Sequence, residues 1–351
     1  MPNDAPMQPP VPYLVTGEES QGLICGYQFI TGQAPRALDT LAAVDAADAA
    51  GTDGFCWLHF NLNHVAGLRW LQEHGGLSEA FFEALHEGSR STRIERDGDT
   101  LFAVVNDVAY DFNFDASDVA TLWVSVSPGR VITARWHPLR SVDHLRMVVK
   151  RGEEQLASSV DILDQLLRFQ ADELQRIARR VADRLEDIED ELLAGHHQRH
   201  TAELARLRRL AVRLQRLLAP EPSALMRTLA SPPGWVQAQD RAQLHRASEE
   251  FALVLRDIAA LQERIKAMQD EVGARVAEEN NRTLFMLTMV TVLALPINLI
   301  SGLFGMNVGG IPLSESREGF WLMLGFIVLL TAVIAWMALR RLVPRGDAER
   351  R

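Results

Sequence analysis

Two hydrophobic patterns divide this chain. Up to about Lys150, short apolar runs with strand character alternate with helix-spaced stretches. The runs Leu23–Ile30, Phe55–Asn61, Leu101–Val108, Thr121–Val126 and Arg130–Arg135 predict strands, with turns at Asp97-Gly98-Asp99 and Ser127-Pro128-Gly129. Val65–His74, Ser78–His86 and the segment after Pro138 predict helices, which makes this part α/β. From Glu153 strand signals stop. Apolar residues at helical spacing predict a long helix from Glu153 to Leu193, with Gly195 as its C-cap, and a second from Thr201 to Leu218 ending near Pro220 and Pro222. Ser231-Pro232-Pro233-Gly234 is a further break. From about Asp240 helical spacing runs to Phe304 without a linker, on the order of 95 Å of continuous helix.

That helix ends in a different medium. Thr283 to Ser314 contains no charged side chain and no histidine, and Phe320 to Leu339 is a second uncharged apolar run. Each is about 20 residues, enough to cross a hydrocarbon core of roughly 30 Å, so the lipid bilayer is an expected partner. Arg275 and Arg282 precede the first run, and Arg340, Arg341, Arg345, Arg350 and Arg351 follow the second. Between them the loop carries Glu315, Arg317 and Glu318. The positive-inside rule predicts both termini in the cytoplasm.

The expected organisation is therefore a flexible segment 1–21, a cytoplasmic α/β domain 22–150, a helical hairpin 151–234 and a stalk helix 235–283. Transmembrane helix 284–304, external loop 305–319, transmembrane helix 320–339 and basic cytoplasmic tail 340–351 complete it. Residues Met1–Pro10 show no basic segment leading into an apolar one, so insertion is expected to depend on the C-terminal hairpin.

The polar positions of the first span are not scattered. Steps of three and four from Asn281 give Leu284, Thr288, Thr291, Leu295, Asn298, Gly302 and Gly305, all on one helix face. Such a stripe either packs helices together through hydrogen bonds or faces water. One hairpin cannot enclose a path, so a pore requires several copies around an axis. The stripe has no carboxylate, histidine or cysteine, and stripping water from a small divalent cation needs charged or soft ligands. Amides and hydroxyls suit a largely hydrated ion. Leu284 and Leu295 would form apolar rings, and Met286, Met289 and Met306 fit packing better than metal ligation.

Composition adds exclusions. The 351 residues carry a net charge of -10, which argues against nucleic acid and suits cations. The two cysteines, Cys25 and Cys56, form no disulfide framework. No Walker A loop, GxSxG, HExxH or dinucleotide fingerprint occurs, so neither an enzyme nor a cofactor is expected. His196 and His200 stand four apart and are the candidate protein metal ligands, though they fall at a predicted hairpin turn. His59 and His64 have no acidic or thiol partner at ligand spacing. The arginine-rich stretch Arg206–Arg216 reads as a solvated face.

A long helix running into the membrane, Gly305-Met306-Asn307 at its outer end, and a second short span before a basic tail resemble the CorA superfamily of divalent-cation transporters. Magnesium-type members usually follow the motif with an aromatic or acidic stretch ending in Met-Pro-Glu. Here Val308-Gly309-Gly310-Ile311-Pro312 follows, which is similar to the ZntB-type zinc transporters, as are Trp57-Leu58-His59-Phe60-Asn61 and Thr133-Ala134-Arg135-Trp136-His137-Pro138-Leu139-Arg140. The resemblance implies a homopentameric funnel in the bacterial inner membrane. It also implies Gly305, Met306 and Asn307 as selectivity motif at the outer mouth, with Asn298 one step inside and Asn281 at the cytoplasmic mouth. The expected cargo is a divalent metal cation, zinc first, with uptake favoured. A CorA-type magnesium or cobalt channel, zinc efflux, and a membrane-anchored sensor without transport are the alternatives.

Overall fold

A computed structural model describes residues 21–49, 54–87, 92–113, 118–194, 200–306 and 318–342. By contacts the chain divides into two compact units, 1–269 and 270–351.

The first unit is built on a seven-stranded sheet of order β2-β1-β3-β7-β6-β5-β4. Its strands are β1 (Leu23–Ile30), β2 (Arg36–Ala37), β3 (Gly54–Asn61), β4 (Arg93–Asp97), β5 (Thr100–Val108), β6 (Val119–Val126) and β7 (Arg130–Arg135). Only β3 and β7 pair in parallel, and every other neighbouring pair is antiparallel. The helices are α1 (Leu41–Ala49), α2 (Val65–His74), α3 (Glu79–Glu87), α4 (Arg140–Arg151), α5 (Ser159–Leu193), α6 (Thr201–Leu218), α7 (Pro220–Leu229), α8 (Ala238–Phe304) and α9 (Gly319–Leu342).

Strand alternation sorts the core into two layers. Trp57, Leu101, Ala103, Val124 and Val131 face one way, against Leu145 of α4, Leu163 and Leu166 of α5, Leu225 of α7 and Leu244 of α8. Leu58, Phe60, Phe102, Trp123 and Ile132 face the other, against Val44 of α1, Trp70 and Leu71 of α2 and Phe81 of α3. A sheet covered on both faces explains why the central strands read as continuous apolar runs.

Several expected boundaries move, each for a local reason. The long helix does not start at Glu153. Gly152, at φ 65°, ends α4, and α5 begins only after Ser158. Ser158 and Asp161 form a reciprocal capping box, and the Ser158 hydroxyl also donates to Asp240 Oδ1 at 3.2 Å, tying the start of α5 to the start of α8. Ser158→Ala should therefore cost about 1 kcal/mol, read as a lower Tm of the purified chain. At the other end the C-cap is Ala194 in a right-handed conformation, while Gly195 lies outside the described residues. Pro220 does not merely end a helix. It opens α7, because the first helical position has no intrahelical use for the N–H that proline lacks.

The helix α8 is 67 residues long and contains Pro296. Proline removes one backbone donor from the ladder, yet the helix continues to Phe304, and Gly305 N–H still donates to Ser301 C=O at 2.9 Å. The last part of α8 and the segment Gly319–Trp336 of α9 are long and apolar enough to cross a membrane.

Candidate ion-conduction site

Because α8 stays helical from Asn281 to Phe304, the polar stripe keeps its geometry. At 3.6 residues per turn, Asn281, Leu284, Thr288, Thr291, Leu295, Asn298 and Gly302 lie within an arc of about 120°. Side-chain exposure supplies an independent reference direction. Met289, Leu293, Ala294, Pro296, Ile297 and Ile300 are the half-buried positions on this stretch, most of them on one face, and Met323, Ile327, Leu330, Thr331, Ile334 and Ala335 are those described on α9. On α8 the half-buried stripe points roughly 180° from the polar one. The polar stripe is thus on the uncovered side of its helix, and Leu284 and Leu295 within it are 61% and 63% exposed.

The threonines are oriented. Thr288 Oγ1 donates to Leu284 C=O at 2.8 Å, and Thr291 Oγ1 donates to Leu287 C=O at 2.9 Å. Thr283 does the same to Glu279 C=O at 3.0 Å. Each hydroxyl proton is committed to the helix, so the oxygen offers only lone pairs outward. Periodicity alone gave no hint of this. Met286 and Met289 lie off the stripe, Gly305 and Met306 follow the end of α8, and Asn307 lies outside the described residues.

The histidine pair is not assembled among the described residues. His196 lies outside them. His200 stands at the N-cap of α6, 4% exposed, with Nε2 at 2.8 Å from Glu191 Oε2 but not aligned for a hydrogen bond. Glu203 is engaged by Arg184 at 2.5 and 3.0 Å, and that guanidinium holds its carboxyl below the usual range. No group of three or more histidine, cysteine, aspartate or glutamate side chains among the described residues is placed to hold a metal.

The two quoted segments of the first unit turn out to be neighbours. Trp57-Leu58-His59-Phe60-Asn61 lies in β3 and Thr133-Ala134-Arg135 in β7, the parallel pair. Trp57 Nε1 donates to Thr133 Oγ1 at 2.9 Å, and His59 Nδ1 meets the same oxygen at 2.8 Å. Arg135 Nε donates to His59 Nε2 at 3.0 Å, which leaves the imidazole proton on Nδ1. Burial, reinforced by Arg135 and Arg146, pushes the His59 pKa well below its ordinary value. Both nitrogens of this neutral ring are occupied, so the seam is structural and His59 is no metal ligand. Burial also raises the thiols, Cys25 to about 12 and Cys56 upward, which makes both poor ligands.

A sheet domain, a 67-residue helix whose apolar end bears an uncharged polar stripe, and a second apolar helix fit a membrane transporter. The chain belongs to the family described as CorA-like Mg2+ transporter protein, which matches residues 52–341. The divalent cation transporter CmaX of Pseudomonas aeruginosa is 27% identical over 290 residues, 82% of this chain and 86% of that protein. The zinc transport protein ZntB of Yersinia pseudotuberculosis is 25% identical over 300 residues, 85% of this chain and 90% of that one. The structure of full-length CmaX aligns with a TM-score of 0.75 at 26% identity, over 93% of this chain and 99% of the other. The CorA magnesium transporter of Methanocaldococcus jannaschii shares the fold at a TM-score of 0.72 and 19% identity, over 89% of this chain and 96% of its own. The protein is thus a divalent-cation transporter of the CorA family and not an enzyme.

Proposed function

We propose that this chain takes up zinc through a pore formed by five copies, with Asn281, Leu284, Thr288, Thr291, Leu295, Asn298 and Gly302 facing the axis and Gly305-Met306-Asn307 selecting at the outer mouth. The observation that carries the reading is the uncharged polar stripe on the uncovered side of α8, whose threonine hydroxyls donate to their own helix and present lone pairs outward. Water bound to a cation turns its oxygens inward and its hydrogens outward. A collar of acceptors therefore matches a hydrated cation and disfavours a hydrated anion. The lack of carboxylate, histidine and cysteine on the stripe supports passage without removal of that water.

Zinc is supported by the Gly309-Gly310-Ile311-Pro312 run and by the relatives named for zinc transport. The family description names magnesium instead, which makes a magnesium or cobalt channel the second reading. Uptake follows from energetics. An inside-negative potential favours a dication moving inward by about 4.6 kcal/mol per 100 mV, twice the single-charge value. The arginines flanking the two spans support cytoplasmic termini and residence in the inner membrane. On this reading 22–150 and 151–234 form the cytoplasmic part, and 235–283 is the stalk that joins it to the spans.

The test is metal uptake by the purified protein in liposomes with imposed voltage. Zinc should accumulate with an inside-negative potential, faster than magnesium, and Asn307→Ala should lower the rate about ten-fold, about 1.4 kcal/mol at the barrier. Accumulation that ignores voltage and follows a proton gradient would overturn the uniport, and faster magnesium uptake would favour the second reading.

A further inference from the structure

Three carboxylates are buried together in the first unit, where β5, α4, α5 and α7 meet: Asp107 at 1%, Glu173 at 5% and Glu221 at 1% exposure. Glu173 is neutralised. Arg140 pairs with it, and so does Arg176 at 3.1 Å. Arg140 is further fixed by the carbonyls of Tyr110 and Phe112, at 3.1 Å each.

Among the described residues, neither of the other two has a cation. Asp107 accepts from the Val108 N–H at 2.7 Å and from the N–H and hydroxyl of Ser141, all neutral donors. Among the described residues, Glu221 is held by one bond, from Gln170 Nε2 to Oε2 at 3.2 Å, and the same nitrogen donates to Asn106 C=O. Its second oxygen, Oε1, is buried with no partner. An ionised carboxylate in such a place leaves lone pairs unsatisfied beside a second negative group, which is among the costliest arrangements in a protein interior.

The surrounding elements offer no relief. From α6 comes the Leu217 carbonyl, which accepts from Thr92 and Asn106. From α8 comes the Ser248 hydroxyl, which donates to Pro222 C=O at 3.4 Å. Among the described residues, the side chains acting on Glu221 are Gln170 and Asp107. Glu221 sits in the first turn of α7, where the helix dipole favours the ionised form. Burial outweighs this. It pushes Glu221 well above the usual carboxylate range, with the charge of Asp107 adding to it against the Gln170 bond. Burial likewise lifts Asp107 to about 6, opposed by its Ser141 and Val108 bonds and assisted by Glu173.

We propose that Glu221 carries a proton at neutral pH, and that the N-terminal turn of α7, held to β5 and α5 through Gln170, loosens when the proton leaves and a buried charge appears beside Asp107. The C-terminal end of α7 has its own anchor, the Thr228 hydroxyl donating to Ile94 C=O at 2.5 Å in β4. Release is thus confined to the end that bears Glu221. Residues 230–237 lead from α7 into α8. This inference does not depend on which ion the protein moves.

The sign is opposite to that of an ordinary salt-bridged acid. A raised folded-state pKa costs nothing below the unfolded value, costs more as pH climbs toward the folded value, and levels off above it. Stability from this site therefore falls as pH rises. In full-length protein in lipid nanodiscs, Glu221→Gln should match the parent in Tm at pH 5 and exceed it at pH 8. Protection of α7 amides, corrected for intrinsic exchange, should drop at least ten-fold between pH 6 and 8.5 in the parent and stay flat in the variant. Infrared spectra should show a protonated glutamic acid carbonyl at pH 7 that Glu221→Gln removes. Equal pH profiles for parent and variant, or no protonated glutamic acid at pH 7, would overturn the proposal. If the variant does not fold, glutamate-labelled parent protein decides alone. A carbonyl band fading over the pH range in which α7 loses protection supports the proposal, and α7 protection that stays constant while the band fades refutes it.

Discussion

Thr291→Lys will reduce cation uptake at least a hundred-fold per inserted protein. Thr291 lies in the middle of the polar stripe, between Thr288 and Asn298, and with its hydroxyl proton given to Leu287 C=O its oxygen presents lone pairs outward. In the proposed pore a lysine there points an ammonium at the axis from every copy. One such charge about 5 Å from a divalent ion costs about 2 kcal/mol even at the dielectric constant of water, and several times that at an effective value of about 20. Each 1.4 kcal/mol is about a factor of ten in rate, so a single ammonium gives a hundred-fold loss at an effective dielectric constant of about 20, and in a more water-like path additional copies are needed to reach it.

The competing use of the stripe, helix packing against another hydrophobic surface, gives a different outcome. A lysine at a lipid-facing or packed position costs about 2.5–3.5 kcal/mol in insertion. It lowers the amount of protein in the membrane without changing flux through what is inserted. Val290, 64% exposed and about 100° round the helix from Thr291, is the matched control. Val290→Lys should lose inserted protein and keep flux per copy, whereas Thr291→Lys should keep inserted protein and lose flux. Thr291→Ser retains the hydroxyl and its bond to Leu287 C=O and should conduct within about two-fold of the parent. Normal conduction by inserted Thr291→Lys would remove the stripe from the ion path.

What the sequence made legible, and what it hid, follows from where each signal resides. β1 and β7 were readable to the residue because their apolar residues lie on both faces, and the turn Ser127-Pro128-Gly129 marks where β7 begins. β4 was not, since Arg93-Ile94-Glu95-Arg96-Asp97 carries four charges, as an exposed edge strand tolerates, and only its hairpin turn at Gly98 showed. α1 was missed because its alanines give a weak apolar face with just Leu41 and Val44 buried. The stripe on α8 was legible because it is periodicity within one element. Its threonine orientation was not, because side-chain bonding to the previous turn leaves no trace in spacing. The Asp107–Glu221 pair was hidden more deeply. Their proximity comes from the packing of β5, α5 and α7, and Glu221 stands between two prolines that read as a solvent-exposed break.

The same non-local logic sets the largest stability effect. Trp57 is fully buried at 0% exposure in the parallel pair at the middle of the sheet, stacked on Tyr27 with ring centroids 6.0 Å apart. Its indole N–H is the donor that fixes Thr133, whose oxygen in turn receives His59. Trp57→Ala removes the ring and leaves a cavity between β3 and the α4–α5 layer, at a cost of about 3–5 kcal/mol. Losing the indole donor unpairs one lone pair of Thr133 and adds about 1 kcal/mol. For a unit of this size each kcal/mol lowers Tm by roughly 2–4 °C, so a fall of about 10 °C or more is expected by circular dichroism. Trp57→Phe separates the two contributions, because it keeps most of the volume and loses the N–H, and it should cost about half as much. A fall below about 3 °C for Trp57→Ala would mean that the α4–α5 layer can collapse onto the sheet without the indole. The two-layer packing given above would then not be what holds β3 and β7 together.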